Sequence, residues 1–142
     1  MTQPLGFEGQ SEIVSDITTT LLTLLPEGWL RLQIDYRAVG DNVAGDGLLF
    51  LDGQRVAGVD LPEEIHDRFA ALRKGMAHPE RGTWFQTTYW LEQPGSASIT
   101  YEWQEMPAWD PPPSAEDCAR ELELHPRSAD AVPDWMRERL TR

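Results

Sequence analysis

The sequence predicts an α+β fold: an antiparallel sheet of four to five strands in two hairpins, with an N-terminal helix, a central helix and two short C-terminal helices packed on it. Three observations predict it. Apolar residues recur at helical spacing near the start and middle of the chain. The segments between them alternate apolar and polar residues with a period of two. Turn pairs, Asp52-Gly53 and Pro94-Gly95, stand between the alternating segments.

Residues 1–10 hold Pro4, Gly6 and Gly9 and read as a loose arm. From Ser11, whose hydroxyl suits an N-cap, Ile13, Ile17 and Leu21 recur every four residues with Val14, Leu22 and Leu25 beside them. Pro26 and Gly28 end that helix. LRLQIDYRAV follows, with Leu30, Leu32, Ile34, Tyr36 and Ala38 on one face and Arg31, Gln33, Asp35 and Arg37 on the other, the mark of a strand with one wet face. GDNVAGDG reads as a loop, GLLFL as a strand, Asp52-Gly53 as a two-residue hairpin and QRVAGV as the returning strand.

Asp60 and Glu63 have capping-box spacing around Pro62, and Ile65, Phe69, Leu72 and Met76 form one stripe of the helix they start. TWFQTTYWLE and SASITYEWQ predict two strands around a type II turn at Pro94-Gly95. Trp84 and Trp90 then share a face with Gln86 and Thr88, while Ala97, Ile99, Tyr101 and Trp103 share a face of the second strand. Ser114 and Asp117 cap a short helix, and PDWMRERL predicts a last one docked by Trp135, Met136 and Leu140. We read residues 1–142 as a single domain with a core at 11–106, a proline-rich acidic linker at 107–114 and a helical extension at 115–142.

With 40% apolar and 25% charged residues, the composition is that of a globular chain and not a disordered one. No apolar run reaches the roughly 20 residues that span a bilayer, and the acidic N-terminus lacks a signal-peptide pattern, so a cytoplasmic protein without a membrane partner is expected. The lone cysteine, Cys118, allows no internal disulfide. Its spacing from Leu122 reads as a small buried apolar residue and not as a nucleophile paired with His125.

The formal charge of −12 argues against nucleic-acid binding, which needs a cationic surplus, and favours a basic protein partner. Half of that charge lies between Glu102 and Glu123, where Glu102, Glu105, Asp110, Glu116, Asp117, Glu121 and Glu123 are opposed by Arg120 alone. No glycine-rich phosphate loop is present. The only lysine, Lys74, falls on a wet helix face. His66 reads as exposed on its helix, and His78 and His125 stand before prolines at helix ends, where a histidine complements the dipole. Neither a metal nor a cofactor is expected, and paired carboxylates are the one catalytic option left. Four of the six tryptophans, Trp84, Trp90, Trp103 and Trp109, lie on or just past the second hairpin. Trp109 has two readings, a lid folded on the core or an exposed recognition anchor.

The helix ending in LPEGW, the alternating strand after it, the PEEIHDRFAALRKGM helix, and the hairpin with Trp84 and TYEW together resemble the YezG-like immunity proteins. These are the antitoxin partners of secreted polymorphic toxins in bacteria. The resemblance covers residues 12–106 and rests on the order and spacing of these segments together. The tail resembles a longer form found in GC-rich bacteria, and the eleven arginines against one lysine fit such a genome. GLLFLDG departs from the pattern, with Phe50 as its one aromatic where family members often have several.

The resemblance implies a non-catalytic α+β protein that binds a toxin domain made by the same cell and blocks its active site. Toxins countered this way are often nucleases, with clefts made basic to hold phosphate backbones, and NAD-consuming toxins occur in similar systems. The expected partner surface is Glu102, Glu105, Trp109, Asp110, Glu116 and Asp117, with Arg31, Asp35 and Arg37 as the alternative. Two other readings stand beside it: a small enzyme with acids converging in a pocket, and an adaptor whose aromatic face binds some other protein.

Overall fold

Alternation along the first strand decides the architecture, because it gives a five-stranded antiparallel sheet one face to bury. The computed structural model describes residues 4–141. In chain order these form α1 (Phe7–Leu24), β1 (Trp29–Val39), β2 (Asn42–Leu51), β3 (Arg55–Val59), α2 (Glu63–Gly75), β4 (Gln86–Glu92), β5 (Ser96–Glu102), α3 (Ala115–Leu124) and α4 (Asp134–Leu140), with 3-10 turns at Asp52–Gln54 and Ala129–Ala131. The strand order is β3-β2-β1-β4-β5 with every pairing antiparallel. No helix is long and apolar enough to cross a membrane among these residues.

The main core is the layer between the sheet and the helices α1 and α2. Leu32, Ile34, Tyr36 and Ala38 of β1 meet Ile17 and Leu21 of α1 and the predicted stripe Ile65, Phe69, Leu72 and Met76. Tyr36 stacks on Phe69 with ring centroids 5.3 Å apart, and Phe69 meets Tyr89 edge-on at 6.2 Å. The buried Tyr89 hydroxyl is paired with Thr18 Oγ1 at 2.6 Å, which ties β4 to α1.

Several local expectations are corrected. The helix α1 starts at Phe7, so Gly6 and not Ser11 is its N-cap, and no side chain caps it. Leu5, just before it, is tied down, since Leu5 N donates to Gly75 O (2.7 Å) and Leu5 O accepts from Gln10 Nε2 (2.9 Å); residues 1–3 of the expected arm lie outside the described residues. Leu22 is 41% exposed and stands outside the buried core. A register shift between Trp29 and Arg31 sends Trp29 into the core in place of Leu30, which is 49% exposed. At α2, Pro62 is the N-cap and the Asp60–Glu63 capping box does not form.

The segment read as a loop, GDNVAGDG, is a two-residue turn and the first half of β2. Gly40 stands first in the turn with φ +64°, as a Gly-X hairpin loop requires. The glycines of β2 leave room for side chains from later in the chain: a Cβ on Gly45 would meet His66 Cε1 and Leu61 Cδ1 at 3.0 Å. The next hairpin uses three residues, Asp52–Gln54, with Gly53 and Gln54 both at positive φ, in place of the expected two. The connection from β4 to β5 also has three residues, and Gly95 at φ +157° lies outside a type II turn.

A second, smaller core forms where the tail folds back. Val39 and Phe85 at the end of the sheet pack with Cys118 of α3 and Met136 of α4, and Trp109, Leu122, Val132 and Trp135 close around them. The Ser114–Asp117 capping box forms in both directions. Leu140, expected to dock, is 37% exposed.

Candidate partner-binding surface

The tail is attached by buried charge as well as by apolar packing. Glu121 is fully buried, and its Oε1 accepts from Arg73 Nη2 at 2.5 Å and from Gly40 N at 2.8 Å. The Arg73 Nε donates to Trp84 O at 2.8 Å, so one ion pair joins α3, α2, the β1–β2 turn and the approach to β4. Arg127 adds a second tie, donating to Thr83 O, Trp103 O and Ala131 O while its guanidinium lies 4.5 Å from the centre of the Phe85 ring. Glu121 therefore leaves the acidic field that the sequence assigned it to. Its position on the buried side of α3, one turn from Cys118, is the signal that reading overlooked.

The six expected partner residues separate. Trp109 is half-buried and packs against the second core, the lid position of its two readings. Asp117 is occupied, accepting from Ser114 N (3.0 Å) and Asn42 Nδ2 (3.2 Å). Asp110 and Glu116 are exposed beside the tail, with no ion-pair partner among the described residues. Glu102 and Glu105 do come together, since Glu102 Oε2 accepts from the backbone N–H groups of Gln104 (3.1 Å) and Glu105 (3.3 Å).

Glu102 also joins the alternative surface. The register sets Arg37 beside Gln86 and Gln86 beside Glu102, in one row across β1, β4 and β5. The wet face of β1 and the first two of the expected acids are thus one surface. It is the face of the sheet opposite α1 and α2, and the tail covers only its end at Val39 and Phe85. Along it, Trp90 sits between Gln33 and Ser98, and Phe50 between Arg31 and Val56. Leu48 and Val56 are 42% and 54% exposed. The expected pairing of Trp84 with Trp90 is overturned: the chain bends at Phe85 before β4 begins, Trp84 enters the main core and Trp90 stays on the open face.

Charge on this face is uneven. Both of its β1 cations are paired, Arg37 with Asp46 at 3.0 Å and Arg31 with Glu92 at 3.6 Å. Asp35 accepts hydrogen bonds from Thr88 and Gln33, and neither it nor Glu102 or Glu105 has a cation partner among the described residues. Glu102 and Glu105 edge an open hollow of about 430 Å³ with Gln86, Thr88, Thr100 and Tyr101.

The groups with chemical potential are placed elsewhere. Burial, reinforced by Asp117, pushes the Cys118 thiol up to about 11, so it stays protonated at neutral pH. His66 is half-buried, not exposed, with its ring 6.0 Å from Tyr36. His78 Nδ1 accepts from Glu80 N, and burial lowers the pKa of His125. No three His, Cys, Asp or Glu side chains form a metal-holding group among the described residues. No protein-family model matches the chain, and no curated protein matches it either.

Proposed function

We propose that this chain is an immunity protein, a stoichiometric inhibitor that binds a cognate toxin domain, a nuclease in the first instance, and blocks its active site without catalysis. The observation that carries the reading is the open sheet face. It presents Trp90, Phe50, Leu48 and Val56 beside three acids that lack cations, Asp35, Glu102 and Glu105. Aromatic residues that lose water at an interface centre supply much of its affinity. Unpaired acids at its edge speed the approach of a basic cleft, in a salt-dependent way. The resemblance of residues 12–106 to YezG-like immunity proteins supports the same reading, as does the formal charge of −12.

A rigid docking surface also fits the way the tail is tied down by Arg73–Glu121 and Arg127, because a surface that is already ordered loses little entropy on binding. The test is co-expression with any candidate toxin domain encoded beside this chain. The wild-type chain restores growth and co-purifies with the toxin in a fixed ratio. Growth arrest despite abundant folded chain would remove the immunity reading. An adaptor role becomes the better account if no toxin is encoded nearby and the same face captures a different basic protein.

A further inference from the structure

Among the described residues the strand β5 closes one side of the sheet and pairs with β4 alone, which leaves its outer edge unpaired from Ser96 to Glu102. Proteins usually blunt such an edge with lysine, proline, a bulge or a very short strand, because free N–H and C=O groups recruit another strand. β5 has none of these: it is seven residues long, pairs without a register shift, and Glu102 is its only charged residue. The opposite edge, β3, is five residues long, begins with Arg55 and contains Gly58.

Beside the free edge lies a groove of about 430 Å³ between α1 and β5. Ala97, Ile99 and Tyr101, the alternate residues of β5 that turn toward α1, form its floor, and Phe7, Val14 and Thr18 stand along its helical wall. Phe7 is 83% exposed at its mouth, and Ile99 and Tyr101 are only partly covered. An added strand needs this combination: unpaired backbone groups for its main chain and a slot for every second side chain.

The helical wall also specifies charge. Glu8, Glu12 and Asp16 recur every four residues on its exposed flank, α1 contains no basic residue, and none of the three has an ion-pair partner among the described residues. Lysine or arginine side chains entering the groove would lay their methylene stems on the apolar floor and bring their charges to these acids. A second copy of the chain fits poorly, since pairing two β5 edges would bring two acidic rows together on molecules that each carry −12.

We propose that the β5 edge and the α1–β5 groove bind an extended cationic segment of another protein by strand addition, with alternate lysine or arginine residues lying in the groove. This site is distinct from the open sheet face and does not rest on the immunity reading. Its failure would leave toxin neutralisation untouched, and loss of toxin rescue would leave the peptide result standing.

The probe is a capped nine-residue peptide alternating lysine and valine, titrated into the full chain and followed by amide NMR and hydrogen exchange. Binding slows exchange of alternate amides across Ser96–Glu102, shifts the Ile99 and Tyr101 signals, and weakens by at least about tenfold when glutamate replaces lysine or alternate peptide amides are N-methylated. The variant Glu8→Lys/Glu12→Lys/Asp16→Lys loses the lysine peptide, and so does Ala97→Lys, which places a cation on the groove floor. Both sites are exposed, and unchanged circular dichroism confirms that each variant is folded. Equal binding of the N-methylated peptide would reduce the contact to charge attraction and overturn strand addition. A concentration-dependent dimer that protects β5 would assign the edge to a second copy, and absence of any binding would remove the site.

Discussion

Two faces of the same sheet treat bulky residues in opposite ways. On the covered face of β4, Thr87, Tyr89 and Leu91 are all but inaccessible, held under α1 and α2. On the other face of the same strand, Gln86, Thr88 and Trp90 remain partly exposed, with hydroxyl and amide side chains between the aromatics and the acids. The covered face is apolar throughout its centre, and what it holds together is the fold. The open face mixes Trp90 and Phe50 with paired arginines and unpaired acids, a composition closer to an interface than to a core. The difference shows that bulk alone in a strand does not predict burial. The helices available decide which face is used for folding, and here α3 and α4 are spent on the sheet end at Val39 and Phe85.

The sharpest way to separate the faces is to truncate one large side chain on each. Phe69→Ala, which removes the α2 ring packed on Tyr36 and Tyr89 of the covered face, should cost ~3–5 kcal/mol in chemical denaturation. Trp90→Ala should cost only about 1 kcal/mol of stability yet weaken toxin binding by ~2 kcal/mol or more in calorimetry. A reversal of that order would assign Trp90 to the core and leave the open face without its anchor.

The next largest effect concerns what holds the tail. Glu121→Ala leaves the Arg73 guanidinium buried without its partner and should destabilise the chain by ~3–5 kcal/mol, whereas removing both charges with Arg73→Leu/Glu121→Leu should cost less than the single change. If Glu121→Ala unfolds at the wild-type denaturant concentration, the tail is held by its apolar contacts and Arg127 and not by the Arg73–Glu121 pair.

Smaller again is the pH response of His125. Burial lowers its pKa from the ordinary 6.5, with Glu121 opposing the shift and Arg73 and Lys74 adding to it. The unfolded chain then binds the proton more readily than the folded one, so this contribution is full above about pH 6.5 and is lost as pH falls through the lower folded value. His125→Gln should flatten that part of the stability profile, as read by thermal melts between neutral and mildly acidic pH. An unchanged slope would place the acid sensitivity in other groups.

Much of the fold was legible because period-two and helical spacing are local signals. The alternation of β1 and the stripe Ile65, Phe69, Leu72 and Met76 assign their own faces, and the structure agrees except at the Trp29–Arg31 shift. What escaped depends on contacts distant in sequence. Gly45 and Gly47 looked like loop residues because the side chains that need their space, Leu61 and His66 at Gly45 and Val59 and Leu61 at Gly47, belong to a later part of the chain. Glu121 looked like one more surface acid because its partner, Arg73, is 48 residues away. The candidate surface was half legible: Glu102 and Glu105 were singled out, but only the β1–β4–β5 register reveals that Glu102 stands in one row with Arg37 across Gln86, and only the folded tail shows that Trp109 packs on the second core and that Asp117 also takes a hydrogen bond from Asn42.

The most direct test is the association rate of a candidate toxin domain that the chain is found to neutralise, measured by stopped flow at low and high salt for two variants. If the open sheet face receives the toxin, Glu102→Gln/Glu105→Gln slows association markedly at low salt and little at high salt, with stability within about 0.5 kcal/mol of wild type. Under the same conditions Asp110→Asn/Glu116→Gln, which removes equal charge beside the tail, has a much smaller effect. A larger loss of rate from the tail pair than from the sheet pair would contradict the account and move the docking surface to the start of α3.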